Sequence, residues 1–332
     1  MHVTPSSSSR RAQQAAVVTE FDRSAEAVEL HPTRCAICGT EGNATELYPA
    51  NLGSTAFNPA VFSARRLPDR VHYRVVKCDT CGLVRSDPVA APEVMARLYA
   101  QSSFNYDDEL TNLRHTYGRY LAELGSYDVR KGALLEIGCG NGYFLEEALA
   151  QGYEVVRGVE PSTAAVAKAA PEVRPSVLCD VMRPGLFLPE QFDVLCMFQV
   201  FDHIANPGAL LGECLNVLKP GGLTLCINHD VDAMPARLLK ERSPIVDIEH
   251  TYLYGRDTMA RLFERHGFDV LHAGAAVNSY SLYYLVQLVP FPSALKRRVL
   301  TWLRGSRVGR LRLAVPLGNL YLIAQKPRGS GR

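Results

Sequence analysis

From residue 132 onward, short apolar runs alternate with segments of helical pattern, and this alternation limits the possible folds more than any other feature. Apolar runs separated by helices are typical of β–α–β units, in which helices cover a sheet of parallel strands. The pattern therefore predicts an α/β fold with a Rossmann-like sheet. The candidate strands are residues 133–138, 154–160, 175–180, 192–198 and 222–228, followed by 268–277 and 318–326.

The chain has 332 residues, enough for about two domains. Its net charge of +2 neither favours nor excludes nucleic acid as a partner. The N-terminal stretch has no apolar segment beside its arginine pair, and no apolar run is long enough to cross a membrane, so we expect a cytoplasmic protein. The expected units are a disordered tail (1–30), a metal-binding module (31–91), linking helices (92–130) and a large domain (131–332) with insertions at 229–255 and 279–316.

A glycine-rich loop follows the first candidate strand of the large domain. Gly138, Gly140 and Gly142 stand at alternate positions, and a helical segment begins near Tyr143. Such a loop lets the backbone approach a ligand closely, and the amides at the helix start can face it. On spacing alone, the loop fits a nucleotide-binding site, a cofactor-binding site or an ordinary strand–helix turn.

Acidic residues in the strands favour a ligand site over an ordinary turn. Glu136 precedes the loop, and Glu160 ends the next strand, 20 residues after Gly140. A carboxylate at that position can accept hydrogen bonds from both hydroxyls of a ribose. Asp180 ends the third strand, where we expect it near the amino group of an adenine.

The strings LEIGCGNGYF, GVEPS, FDVLCMFQVFDHIANP and VLKPGG follow one another over residues 130–230. In this order they resemble the class I S-adenosylmethionine-dependent methyltransferases. The resemblance implies a seven-stranded sheet whose last strand is antiparallel, and a loop that holds the methionyl part of the cofactor. It assigns cofactor binding to Glu136, Gly138, Cys139, Gly140, Gly142, Glu160, Pro161, Cys179, Asp180, Phe198 and Gln199.

Two CxxC pairs lie in the N-terminal part of the chain. Cys35 and Cys38 form one pair and Cys78 and Cys81 the other, and a glycine follows each pair. Four thiolates in two such hooks are suited to a tetrahedral zinc ion, and a closed four-cysteine site is structural rather than catalytic. The 39 residues between the pairs exceed the usual zinc-ribbon spacing. The segment VVKCDTCGLVRSDPV resembles the zinc module of bacterial sugar methyltransferases from polysaccharide and antibiotic gene clusters.

Residues that could remove a proton from the acceptor are expected after strands four and five of the sheet. His203 follows strand four, and Glu249 and His250 lie beyond strand five. Histidine can act as a base near neutral pH, and Glu249 could orient it. The sugar C-methyltransferases have a similar Glu–His pair, but they carry a tyrosine where this chain has Asp247. Tyr99, Tyr106, Tyr252 and Tyr254 either line the pocket or pack in the core.

The segment between the last two strands is apolar, aromatic and basic. Seven cationic side chains lie there without an acidic residue between Ser279 and Lys326: Lys296, Arg297, Arg298, Arg304, Arg307, Arg310 and Arg312. Three interpretations stay open at this point. The segment is a cap that binds a substrate phosphate, a helix that lies on a membrane surface, or a helical excursion with a solvated basic face.

The sequence thus predicts a zinc-containing methyltransferase that acts on a small molecule, with a nucleotide-linked sugar as the first candidate. An O- or N-methyltransferase for another metabolite is the alternative of the same fold. A protein that binds or modifies RNA is a further alternative, although no known RNA-binding module is recognised and no nucleic-acid partner is expected.

Overall fold

The computed structural model describes residues 28–53, 56–58, 61–62, 70–101, 110–288 and 293–328. The predicted tail therefore lies outside the described residues as far as residue 27. Its predicted boundary at residue 30 is too late, because Leu30 already pairs with Ala90 in a short antiparallel ladder.

The N-terminal part is built from short strands and one helix. Three of the strands form an antiparallel ladder, in which the third strand also pairs with a strand from much later in the chain. The elements are β1 (Leu30–His31), β2 (Ala44–Tyr48), β3 (Val75–Cys78), β4 (Val84–Ser86), β5 (Val89–Ala90) and α1 (Pro92–Ala100).

The large domain alternates strands and helices as the sequence predicts. Its first half contains α2 (Leu110–Glu123), β6 (Ala133–Ile137), α3 (Tyr143–Ala150), β7 (Val155–Val159), α4 (Thr163–Ala167), β8 (Val177–Leu178) and β9 (Phe192–Phe198). Its second half contains α5 (Pro207–Val217), β10 (Leu218–His229), α6 (Met234–Leu239), β11 (Tyr252–Leu253), α7 (Arg256–Arg265), β12 (Asp269–Ser281), α8 (Leu282–Leu288), α9 (Ser293–Leu303) and β13 (Arg312–Gln325).

Seven strands form the main sheet in the order β12-β13-β10-β9-β6-β7-β8. The pairs from β8 to β10 are parallel, whereas β13 is antiparallel to both β10 and β12. All residues of β9 are buried, as expected for a central strand with a helical layer on each face. The predicted α/β fold with an antiparallel last strand is confirmed.

Two predicted boundaries are wrong for local reasons. β8 contains only Val177–Leu178 instead of residues 175–180, because a 3₁₀ turn with Pro175 precedes it. The predicted insertion at 279–316 is shorter, since β12 and β13 stay paired from Asn278–Val315 to Ser281–Arg312. A register shift accommodates Pro316, which suits a position at a bulge.

The N-terminal part shares a core with the large domain. Cys35, Cys78 and Leu83 pack in one apolar cluster with residues of the main sheet and of α7, such as Leu195 and Met259. Helix α2 packs against α3 and β12, so it covers the sheet rather than only linking two units. In the described part of the chain, no helix is both long and apolar enough to span a bilayer.

Candidate active site and cysteine cluster

The glycine loop connects β6 to α3 at the carboxyl end of the parallel strands. Gly138, Gly140 and Gly142 all have positive φ angles, of 73°, 55° and 74°. A Cβ atom on Gly138 would lie 2.3 Å from Cγ2 of Val200, so a larger residue cannot be accommodated without movement there. The loop conformation therefore depends on glycine for both backbone geometry and space.

Glu160 lies directly against this loop. Its carboxylate accepts hydrogen bonds from the amides of Gly140 (2.9 Å) and Ser162 (2.8 Å). Burial raises the pKa of Glu160, although the two N–H donors act against this rise. The structure thus brings together the loop and the acid that the sequence assigns to a ribose.

Glu136 is buried in β6, two residues before the first glycine of the loop. One of its carboxylate oxygens has no hydrogen-bonding partner within the described residues. Burial, together with the charge of Glu160, raises the pKa of Glu136 well above its ordinary value. A buried acid with an unpaired oxygen costs free energy unless a ligand supplies a donor, so Glu136 fits a site for a ligand with polar hydrogens.

The last residue of β9, Phe198, and the next residue, Gln199, complete this side of the site. Gln199 has a positive φ of 55°, and its side-chain oxygen is buried without a partner among the described residues. The ring of Phe198 stacks on Tyr117 with a centroid distance of 4.2 Å, and Phe144 contacts it edge-on. Phe198 therefore packs in the core beneath the loop. Of these two predicted cofactor residues, Gln199 is the one with a side-chain atom left to contact a ligand.

The remaining predicted cofactor residues differ in where they point. The side chain of Cys139 is buried against Gly158 in the core, so any contact of Cys139 with a ligand is limited to its backbone. Cys179 Sγ lies 3.8 Å from the carbonyl oxygen of Pro161, which places these two residues together beyond β7 and β8. Asp180 pairs with Arg183 at 2.8 Å, and this pairing lowers the pKa of Asp180.

Beyond the ends of β9 and β10, three histidines surround the buried carboxylate of Asp202. His229 Nδ1 donates to Asp202 Oδ2 over 2.6 Å. The Nε2 atoms of His203 and His250 lie 3.5 Å and 3.7 Å from the same carboxylate. Burial raises the pKa of Asp202, but His250, His203 and His229 outweigh it and hold that pKa below its ordinary value.

The two predicted histidines have different surroundings. His250 is buried, and its Nδ1 donates to the carbonyl oxygen of Ile245 at 2.8 Å, while its Nε2 faces Asp202. His203 Nδ1 lies 2.7 Å from the hydroxyl of Tyr99. Burial lowers the pKa of His203 to about 3, although Asp202 acts in the opposite direction.

Glu249 is buried beside Tyr99, whose hydroxyl lies 3.5 Å from the backbone carbonyl of Glu249. Burial and the nearby acids Glu249, Asp202 and Asp247 raise the pKa of Tyr99 well above its ordinary value.

Among the other tyrosines, Tyr254 stacks on Phe201 in the core, and the hydroxyl of Tyr252 donates to the carbonyl oxygen of Arg34. Tyr252 and Tyr254 are therefore packing residues, which is one of the two roles that the sequence predicts for them. Tyr106 lies outside the described residues.

Sequence reasoning missed two members of the histidine cluster, Asp202 and His229. Asp202 stands beside His203 but was not assigned a role, and His229 is the last residue of β10. Ligands bind outside the carboxyl ends of parallel strands in this fold class, so the position of His229 was itself a usable signal.

The four predicted zinc ligands converge in the N-terminal part. Their sulfur atoms all lie within 4.8 Å of one another, with Cys35–Cys81 at 3.2 Å and Cys38–Cys78 at 3.5 Å. Thiolates bound to one tetrahedral zinc ion are about 3.8 Å apart, since each Zn–S bond is about 2.3 Å. The donor set and its spacing therefore fit a single zinc ion.

Backbone amides prepare part of this cluster for metal binding. Gly39 and Gly82 have φ angles of 74° and 78° and turn each hook back on itself. Burial acts to raise the pKa of Cys78, but N–H groups of Cys81 and Thr80 outweigh it and bring the pKa to about 6. The thiolate that a metal requires is thus favoured at Cys78.

The large domain is similar in sequence to a known protein family. Residues 110–273 match the family described as a methyltransferase domain. These residues form a methyltransferase domain. The matched segment begins at Leu110, so α2 belongs to the methyltransferase domain both by sequence similarity and by its packing on the sheet.

The methyltransferase domain is similar to curated proteins over part of their length. It is 30% identical over 158 residues to the ubiquinone biosynthesis O-methyltransferase of Nitrobacter winogradskyi, an alignment that covers 44% of this chain and 60% of that protein. It is 28% identical over 196 residues to an uncharacterised methyltransferase of Geobacillus kaustophilus, with 54% and 88% covered. The chain thus spans less than two thirds of the first of these relatives.

Solved structures with a similar fold include a SAM-dependent methyltransferase from Archaeoglobus fulgidus. The TM-score is 0.45 at 18% identity, with 67% of this chain and 99% of that chain covered.

Proposed function

We propose that this protein transfers a methyl group from S-adenosylmethionine to a small molecule. The observation that carries the proposal is the arrangement at one end of the sheet. The glycine loop, Glu160 and the unpaired oxygen of Glu136 lie at the same carboxyl edge as Asp202 and its histidines. When bound, S-adenosylmethionine supplies an electrophilic methyl group on a sulfonium sulfur.

The residues of the loop fit such a cofactor. Glu160 can accept hydrogen bonds from the hydroxyls of a ribose in addition to its two backbone donors, because a carboxylate has about four acceptor sites. Glu136 and Gln199 each present a buried oxygen that has no partner among the described residues, and the cofactor's ammonium group and other polar hydrogens could satisfy them.

We further propose His229 as the group that accepts a proton from the acceptor. Its Nδ1 donates to Asp202, which fixes the tautomer and leaves the Nε2 lone pair available. Its side chain is 28% exposed, compared with 20% for His203 and 7% for His250. An acceptor molecule can therefore reach His229 more easily than the two predicted histidines.

In this scheme the predicted residues keep supporting roles. His203 has a low pKa and already lies against Tyr99, so it orients groups rather than accepts protons at neutral pH. His250 and Glu249 help to hold Asp202 and Tyr99 in place from the buried side.

The acceptor proposed first is a nucleotide-linked sugar in glycan or secondary-metabolite biosynthesis. The four-cysteine module and the Glu249–His250 pair support it through the resemblance to sugar methyltransferases. Asp247 departs from that pattern, and its carboxylate accepts from the amide of Glu249 at 3.3 Å, so it stabilises the turn before His250. O-methylation of another metabolite is the second candidate, because the Nitrobacter relative is named an O-methyltransferase.

A labelled-methyl assay separates these acceptors. The purified protein is incubated with methyl-labelled S-adenosylmethionine and, in separate reactions, nucleotide-sugars, phenols and lipid-linked acceptors. Transfer to a nucleotide-sugar supports the first candidate, and transfer to a phenol alone supports the second. Calorimetry that detects no binding of S-adenosylmethionine would refute the proposed activity altogether.

We also propose that the four cysteines hold one structural zinc ion. None of the nine cysteines, all of which the structure describes, forms a disulfide, which suits the reducing cytoplasm that we propose as the location.

A further inference from the structure

The described residues include a surface that combines positive charge with exposed apolar side chains. We define the basic arm as residues 293–317, which comprise α9, the following turn and the start of β13. The arm carries seven cationic side chains and no acidic one, and the chain has no acidic residue after Asp269. None of these seven cations forms an ion pair with another described residue.

The apolar side chains of the arm are unusually open to solvent. Leu295, Trp302 and Leu311 are 50%, 64% and 55% exposed. Leu295 and Trp302 are seven positions apart in α9, which places them on one face of the helix together with Arg298. This face of α9 therefore presents the Leu295 and Trp302 side chains with the Arg298 guanidinium between them.

The arm lies at the end of the sheet that carries the histidine cluster. β10 ends at His229, which pairs with Asn319 of β13. β12 and β13 stay paired beyond this point, as far as Ser281 and Arg312, so they carry the arm past the carboxyl ends of the parallel strands. The arm thus extends from the same end of the sheet as the histidine cluster.

A second element with exposed apolar side chains lies at the same end of the sheet. Helix α6 follows the carboxyl end of β10 and packs against β13. Its Met234 and Leu238 are among the most exposed apolar side chains of the described residues, and Arg237 and Lys240 are nearby cations. Two separate segments thus place the same combination of side chains at one end of the molecule.

We propose that the basic arm binds the surface of a bilayer that contains anionic phospholipids. Guanidinium and ammonium groups are attracted to the negative headgroups, at about 1 kcal/mol for each Lys or Arg near the surface, which is roughly a fivefold gain in binding. Exposed Trp and Leu side chains gain by entering the boundary between headgroups and acyl chains. The mixture of aliphatic and cationic side chains favours a bilayer over RNA, which is held by cations and stacking rings.

The chain itself supplies the reporter for this proposal. Trp302 is its single tryptophan, so all tryptophan fluorescence comes from the basic arm. Full-length protein is titrated with vesicles of phosphatidylcholine alone and of phosphatidylcholine with phosphatidylglycerol. We expect Trp302 emission to shift to shorter wavelength and to become protected from acrylamide only with the anionic vesicles, and the shift to disappear at high salt.

Matched variants test the charges and the apolar groups separately. The double substitution Arg297→Gln with Arg298→Gln should weaken vesicle binding about tenfold or more. Val308→Ser with Leu311→Ser should weaken it while the salt dependence stays. The control is Arg130→Gln with Lys131→Gln, an adjacent exposed pair that precedes β6 at the opposite end of the sheet. This control should bind vesicles like the unaltered chain.

Two results would overturn the proposal. One is an unchanged Trp302 emission with anionic vesicles, measured on protein whose circular dichroism shows that it is folded. The other is salt-sensitive binding of a single-stranded RNA oligonucleotide without any vesicle binding. Neither result depends on methyl transfer, so the membrane proposal and the proposed activity are tested independently.

Discussion

His229 Nδ1 donates a hydrogen bond to Asp202 Oδ2 over 2.6 Å, and this bond joins the last residue of one strand to the turn after its neighbour. Because Asp202 is almost completely buried whereas His229 is partly exposed, the carboxylate orients a ring that an acceptor can still reach.

The first prediction concerns this pair. In His229→Asn, the amide nitrogen can still donate to Asp202, but the variant has no basic nitrogen. We expect turnover to fall about 10²- to 10⁴-fold, the usual contribution of a general base, with little change in cofactor affinity. His272→Asn is the control, since this exposed histidine lies on the edge strand β12 and stacks on Tyr321. Normal turnover in His229→Asn would remove His229 from the mechanism.

The second prediction concerns cofactor binding. Glu160→Gln keeps the size of the side chain but loses the charge and one acceptor oxygen. Charge-assisted hydrogen bonds are about twice as strong as neutral ones, so we expect S-adenosylmethionine to bind at least about tenfold more weakly by calorimetry. Glu154→Gln, an exposed acid just before the same strand, should bind it normally. Equal affinities in the two variants would contradict the role of Glu160.

The third prediction concerns the four cysteines. Elemental analysis of the purified protein should find one zinc ion per chain, and Cys78→Ser should reduce this content. Loss of the metal should also lower the midpoint of thermal unfolding, since a loss of about 3 kcal/mol corresponds to roughly 5–10 °C in a chain of this size. Cys179→Ser alters an exposed thiol outside the cluster and should keep the zinc. A metal-free protein with an unchanged melting temperature would refute the site.

The fourth prediction follows from the low pKa of His203. The unfolded chain takes up a proton at this residue below about pH 6.5, whereas the folded protein does not until about pH 3. Between these values the unfolded state binds more protons, so the free energy of unfolding falls as the pH is lowered. From pH 7.5 to pH 5, this residue should cost the folded state about 2 kcal/mol.

Denaturant unfolding at several pH values checks this dependence. His203→Asn places an amide oxygen where Tyr99 can donate to it and removes the titrating group. The variant should lose less stability than the unaltered chain as the pH falls from 7.5 to 5. Parallel curves for the two proteins would show that His203 is not held neutral by the fold.

The sequence was sufficient to predict the sheet, because periodicity and strand–helix alternation are local properties. The glycine loop with Glu160 was also predictable, since a strand, a turn and a helix fix both in place. The histidine cluster was only partly predictable, because Asp202, His229 and His250 come from separate segments that meet only in the folded chain. The ends of β12 and β13 were missed, since the bulge at Pro316 depends on the pairing of two strands.

Strand β11 joins the N-terminal part to the methyltransferase domain. Tyr252 and Leu253 pair with Arg85 and Val84 of β4, and the hydroxyl of Ser86 donates to the carbonyl oxygen of His250. A fragment that began at Leu110 would leave this strand without its partner and the backbone carbonyl of His250 without the Ser86 donor. The cysteine-bearing part is therefore not a detachable appendage, and removing it would expose the backbone of a segment next to the proposed active site.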